Sequence, residues 1–340
     1  MYRWYLYIIL FSQATLLLNG QEIHFSQINH PEILINPACT GHFTGNFRIG
    51  TGFRSQSKSV SIPYETFTAW GDYLHEFKKP ERSSLGLGVF LYDDNAGEGS
   101  LHTTSGYITV SVIKGFNQDN SFKAALGFSV GIINRTINIS RLVFDSQWNG
   151  TFFDPSISSG EPFSGNSLFA PDFNFGGLAC WEISKNLQTS IGTSLMHINR
   201  PKLTFYEVEN RLEHRLIVHG TAKHRINEWL QVNPGFYYSS QQGVDIMMFG
   251  ANMLIIKENM KFLTGLWYRF ERDIIPHLGV MAKNFLIEFS YDVNVSKLHL
   301  ASNYHGGFEI SLITIFSKKP SRYGCSDFTI SKYMEPIQGF

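Results

Sequence analysis

His214, His219 and His224 follow one another at intervals of five residues and are the most metal-like feature of the chain. Imidazole nitrogens suit zinc and other transition metals, but the rings must converge on one point. The surrounding segment alternates in polarity, and on a strand an odd spacing puts neighbours on opposite faces. The three rings therefore read as strand residues facing a lumen or an interface, and no metal is expected. The acidic stretches Tyr92–Asp94 and Glu271–Asp273 could do acid–base work only inside a shaped cleft, and they read as charges at loop edges. Ser105, Ser129 and Ser190 fall within strand patterns, without the strand–turn–helix setting of a nucleophile elbow. "GLGVF" and "GFSVG" precede no helical pattern, so they are not dinucleotide loops. The triplets starting at Asn134, Asn138 and Asn149 read as polar loop. Cys39, Cys180 and Cys325 match no zinc spacing, which leaves free thiols or a single Cys39–Cys325 bridge. The residues that could do chemistry define no enzyme and call for no cofactor.

The elements that would position them give a clearer signal. In "NFLIEFSYDVN", Phe285, Ile287, Phe289, Tyr291 and Val293 share one face, opposite Asn284, Glu288, Ser290 and Asp292, with Leu286 as the exception. In "NFRIGTGFR", Phe47, Ile49 and Phe53 oppose Arg48 and Arg54, and in "HRLIVHGTAK" Leu216, Val218 and Ala222 oppose Arg215, His219, Thr221 and Lys223. Period two with one apolar face marks a half-buried strand. The same reading predicts strands over 46–55, 64–76, 84–93, 101–114, 120–134, 169–183 and 187–199. More follow over 213–225, 229–239, 243–256, 261–271, 274–282, 284–294 and 303–316. These are about fourteen, each long enough to cross the ~25 Å apolar band of an outer membrane when tilted.

Composition agrees. Charged residues are 16% of the chain and aromatics 15%, against roughly 25% charged in ordinary soluble domains. With 28 basic and 28 acidic residues, there is no basic excess to bind nucleic acid. Residues 1–20, "MYRWYLYIILFSQATLLLNG", place Arg3 before apolar runs that end at Asn19 and Gly20, the layout of a cleaved secretory signal. No later apolar run is long enough for a transmembrane helix.

The joins sort by parity. Those after even-numbered strands are mostly short ("NQD", "SKN", "INE", "KEN"). Those after odd-numbered strands include "QSKSVSIP", "DNAGEGS", "RPKLTFYEVEN" and a large insert over 135–168. Short periplasmic turns and long outer loops are the asymmetry of a bacterial outer-membrane barrel. The expected organisation is a signal peptide over 1–20, an extended periplasmic arm over 21–45, a single antiparallel barrel over 46–316 and a periplasmic tail over 317–340. In the insert, Trp148, Phe152 and Phe153 are candidate partner-binding residues, although such a loop could equally pack on itself or plug its own barrel.

The arm, "HFSQINHPEILINPACTG" from His24 to Gly41, crowds two prolines, two asparagines and a glycine around a few apolar residues. This spacing predicts a shaped segment without a helix. Such an arm could dock into the lumen or add a strand to a periplasmic partner.

"QEIHFSQINHPEILINPACTG", followed by "FRIGTGFRSQ" and "YETFTAWGDY", resembles the start of the PorP/SprF family of Bacteroidetes outer-membrane proteins. The matching positions are His24, Phe25, Ser26, Gln27, Asn36, Pro37, Ala38, Gly41, Arg48 and Arg54. "IEFSYDVNVSKLHLASNYHGGFEISL" and "YGCSDF" resemble the family's closing strands and its Cys-x-x-Phe end. The resemblance implies an accessory role in type IX secretion, with the SprF-like branch favoured. Its implied partners are the translocon with its periplasmic ring, outer-membrane lipid, and a large adhesin client bearing a C-terminal sorting domain. His24, Phe25, Ser26, Gln27, Asn36 and Pro37 then join the insert aromatics as candidate partner-binding residues. A solute channel is the alternative function.

Overall fold

A computed structural model describes residues 24–316 apart from 29–30, 44, 57–62, 78–81, 98, 118–120, 207–209, 258–259 and 298. The expected signal peptide, the tail and Cys325 lie outside the described residues. Alternation becomes strand wherever it was read. The first seven strands are β1 (Phe47–Gln56), β2 (Tyr64–Glu76), β3 (Ser83–Ala96), β4 (Leu101–Gly115), β5 (Phe122–Thr136), β6 (Ser167–Ser184) and β7 (Leu187–Met196). They are followed by β8 (Arg215–Arg225), β9 (Leu230–Gln241), β10 (Val244–Lys257), β11 (Met260–Arg269), β12 (Asp273–Ala282), β13 (Phe285–Asn294) and β14 (His305–Phe316). Each pairs antiparallel with its sequence neighbours, and β1 pairs with β14 from Phe47↔Phe316 to Gln56↔Gly307, closing the barrel. Closure leaves no unpaired edge, as a structure spanning lipid requires.

The alternation is resolved into two walls. Phe67, Val89, Ile108, Leu126, Leu266, Leu278 and Phe289 point outward and are exposed, while their neighbours Thr66, Thr109, Ser129, Glu288 and Ser290 are buried inside. Aromatics cluster on the outer wall near both rims. Phe116, Phe122 and Trp181 meet at the end carrying the short turns, and Phe53 and Phe308 towards the other. Such girdles mark membrane interfaces. Most boundaries lie within two residues of the expected ones, and the two that moved by three have local causes. β3 continues to Ala96, so Asp93 and Asp94 are strand residues paired with Thr104 and Thr103 rather than loop-edge charges. β7 stops at Met196, because His197 and Arg200 take left-handed backbone (φ +59° and +46°) that cannot continue a strand.

The interior is not a water-filled polar bore. The arm occupies it, and inward-facing apolar residues appear where the arm touches. At the short-turn end, Phe43 of the arm joins Leu74, Ile113, Leu286, Ile313 and Ile315 in one buried cluster. Leu286, the exception to its strand's alternation, faces inward for this reason. Ile28 and Ile35 join a second cluster with Ile217, Met248, Trp267 and Ile275.

Candidate functional site

The arm was expected to be free of helix and able to dock into the lumen. It winds down the inside of the barrel and carries one helical turn, α1 (Glu32–Ile35), followed by a 3-10 turn over Pro37–Cys39. The prolines bracket these turns rather than interrupting them. Pro31 occupies the position before α1 and Pro37 opens the 3-10 turn, both places where a missing amide hydrogen costs nothing. Asn36 links the turns. Its Oδ1 accepts from the Ala38 amide at 2.9 Å, and its Nδ2 donates to the Gly177 carbonyl at 3.0 Å and lies 3.0 Å from His219 Nε2. Gly41, at φ +73°, turns the chain towards β1.

Three sets of contacts fix the arm to the wall. Nearest the long joins, Ser26 sits among Arg54, Arg269, Asp292 and Glu309, all buried. Its hydroxyl accepts from Arg54 Nη1 at 2.6 Å and Arg269 Nη2 at 2.8 Å, and donates to Asp292 Oδ1 at 2.6 Å. Its amide donates to Glu309 Oε2 at 2.8 Å. The Gln27 amide group donates to Ser290 Oγ at 3.3 Å and the Glu309 carbonyl at 3.1 Å, and its carbonyl accepts from Ser311 at 2.5 Å. Arg54 itself pairs with Asp292 at 2.7 Å and Glu309 at 2.9 Å. Midway, Thr40 meets Thr109 Oγ1 at 2.7 Å while its carbonyl accepts from Ser111 at 2.5 Å. Nearest the short turns, Asp72 accepts from the Gly41 amide at 2.8 Å and from Arg48 Nε at 2.9 Å, and Arg48 lies over the Phe43 ring at 4.8 Å. His42 Nε2 lies 3.0 Å from Cys180 Sγ.

Wall glycines make the close approach possible. A Cβ on Gly127 would collide with Pro37 and Ala38, and one on Gly86 with the Thr40 carbonyl. The alternation left these wall glycines unexplained, since the strand needs none of them.

The candidate residues thus fall into two groups. Phe25, Ser26, Gln27, Asn36 and Pro37 are buried against their own barrel, with His24 partly buried beside them. Trp148, Phe152 and Phe153 lie in the insert, which spans 137–166 between β5 and β6, and are 49%, 58% and 47% exposed. Trp148 meets Phe153 edge-on at 5.0 Å, and Phe163 stacks on Tyr206 of the β7–β8 join at 4.9 Å. The two joins therefore form one cap, tied further by Ser164 donating to the Phe205 carbonyl. In that cap, the Ser156 hydroxyl and amide hold the Asp154 carboxyl below its usual range.

The three strand histidines diverge. His219 faces the arm, His224 is exposed, and His214 meets the His197 carbonyl at 3.0 Å. Cys39 and Cys180 are both buried and are not joined to each other by a disulfide. Sequence reasoning missed Asp72, Arg269, Asp292 and Glu309 as anchors. The inward position of a charge in an apolar strand was their one signal.

The comparison with curated proteins yields no match. Among solved structures, the toluene transporter TbuX of Ralstonia pickettii is similar at 12% identity and TM-score 0.50, covering 83% of this chain and 91% of that one. The toluene transporter TodX of Pseudomonas putida follows at 9% identity and TM-score 0.47, covering 86% and 93%. A FadL homologue of Pseudomonas aeruginosa is similar at 8% identity and TM-score 0.49, covering 82% and 92%. The likeness to TbuX is one of fold, an outer-membrane-type barrel. A family model described as "Type IX secretion system membrane protein PorP/SprF" matches residues 17–313. The arm and all but the last three residues of the barrel whose wall binds it lie within that match, and the chain belongs to the PorP/SprF family.

Proposed function

We propose that this barrel is an outer-membrane accessory of type IX secretion that binds a large adhesin-type client with a C-terminal sorting domain and helps it reach or stay on the surface. The translocon and its periplasmic ring are the accompanying partners, in the SprF-like branch and in a Bacteroidetes setting. Family membership supports the secretion role. The observation that carries the rest is the arm, because a lumen occupied by a hydrogen-bonded segment of its own chain suits recognition better than free passage of solutes. Short turns are assigned to the periplasm. The tail beyond Phe316 then leaves on the periplasmic side, while Ser26 lies in the half of the lumen nearer the cell exterior. The insert aromatics Trp148, Phe152 and Phe153 would meet the client outside, and the arm residues His24, Phe25, Ser26, Gln27, Asn36 and Pro37 would set the barrel's closed state.

The test is client display measured beside barrel abundance in outer membranes. Removing Gln21–His30 should leave the barrel inserted and impair display; normal display at normal barrel levels would retire the arm as a functional element. The likeness of fold to a transporter favours a second reading, a solute channel without a secretion role. It would require the intact protein to conduct in planar bilayers as well as an arm-deleted variant does.

A further inference from the structure

The wall does more than leave room for the arm, because its side chains also bond to the arm's backbone. Glu309 accepts from the amides of Ser26 at 2.8 Å and Gln27 at 3.3 Å, and Asp72 accepts from the Gly41 amide at 2.8 Å. Ser194 donates to the Ile35 carbonyl and Ser111 to the Thr40 carbonyl, both at 2.5 Å. These wall residues, on β14, β2, β7 and β4, are all buried. Any polypeptide offers such backbone groups, so these bonds hold a chain without regard to its sequence. Sequence is read at two places. At one, the Ser26 hydroxyl fits between Arg54, Arg269 and Asp292, with Gln27 held beside it. At the other, Asn36 reaches Gly177 and His219. The wall's charges also have partners of their own. Arg54 pairs with Asp292 and Glu309, Arg269 with Asp273 at 2.6 Å and Asp292 at 3.2 Å, and Arg48 with Asp72. Departure of the arm leaves these ions paired, which avoids the largest cost of emptying the lumen.

We infer that the lumen wall is a binding site for a second polypeptide segment, and that the arm is its tethered, replaceable occupant. The segment it takes is unfolded, carries an aromatic–Ser–Gln run and, like the arm, has Asn-Pro starting nine residues after the glutamine. It would gain its first hold in the place of Ser26, far along the arm from β1, and displace the arm towards Gly41. A tethered arm competes at an effective concentration on the order of millimolar, so a rival must itself be held at the barrel. A client docked on the cap, as in the proposed secretion role, would meet that condition; the site itself exists whatever the barrel serves.

The test is fluorescence anisotropy of a labelled synthetic peptide of residues 24–41 mixed with the purified full chain in detergent. The unmodified chain, its site filled, should take up little. A full chain with Ser26→Ala and Gln27→Ala in its own arm keeps the wall intact and should bind the peptide saturably, one to one. A peptide carrying Ser26→Ala should bind that chain about a hundredfold more weakly, the worth of the lost hydrogen bonds to charged groups. Adding Gly127→Val to the wall should abolish uptake, because a side chain there takes the place of Pro37 and Ala38. Heat-modifiable gel mobility reports that each barrel is folded, and Asn36→Ala serves as the weakened arm if the double variant does not fold. The site would be overturned by no saturable uptake in a folded weakened-arm chain, or by equal uptake in the unmodified one. Equal uptake of a scrambled peptide, or uptake unaffected by Gly127→Val, would overturn it too. Equal affinity of the Ser26→Ala peptide would overturn the serine's role. Secretion does not enter these measurements, so this site and the arm's effect on client display can fail independently.

Discussion

Ser26 has one hydroxyl, yet that oxygen takes hydrogen bonds from Arg54 and Arg269 and gives one to Asp292. Bringing two guanidinium groups and two carboxylates out of water is costly, and only complete pairing offsets it. Removing one partner should therefore be severe. Arg54→Met is expected to destabilise the folded barrel by about 3–5 kcal/mol, because Asp292 and Glu309 would stay buried without its guanidinium. The shift in urea midpoint in detergent measures it, and a change below about 1 kcal/mol, the worth of an exposed pair, would show that the cluster is hydrated. The two walls give a second prediction. Phe289→Lys on the lipid side should cost about 2–4 kcal/mol. For an empty lumen, Ser290→Lys would be the milder change. Here Ser290 is fully buried and accepts from Gln27, so a lysine should drive the arm out and also destabilise the barrel. In a variant lacking the arm, Ser290→Lys should become mild, and equal costs with and without the arm would count against the contact.

At the scale of elements, the strands were legible and the arm was not. A strand facing lipid must put apolar side chains outward at every second residue, so Phe285 to Val293 could be read directly. The arm has no period. Its turns depend on contacts with Gly127, Gly177 and His219, far away in sequence. The prolines were read as forbidding a helix, whereas they sit at the edges of two short turns. The exceptions to alternation held part of the missing information, since Leu286 and Ile217 point inward to meet the arm's clusters. The arm's fit makes Gly127→Val a clean probe. Its side chain would occupy the place of Pro37 and Ala38, so the arm should come off the wall and become open to added protease while the strands stay resistant. A resistant arm in this variant would show that the wall can yield.

For the whole molecule, the long joins gather at one end because antiparallel strands send every odd-to-even connection there. β9–β10 and β11–β12 are joined at that end by residues 242–243 and 270–272 only, so the end is asymmetric, dominated by the cap of 137–166 and 197–214. A protease site placed in 140–165 should be cut on intact cells, and one placed after Phe316 should not. The reverse pattern would invert the assigned orientation.

The arm also constrains how the molecule can be made. It runs through a ring whose last seam is β1 against β14, and Ser26 lies in the half of that ring away from the start of β1. A string already closed into a ring admits only what can slip through. The seam must therefore zip around an arm that is already in place, or the arm must pass as an unfolded strand afterwards. A compact folded module attached ahead of His24 would jam the second route, and its effect on the yield of closed barrels would reveal which route the chain takes.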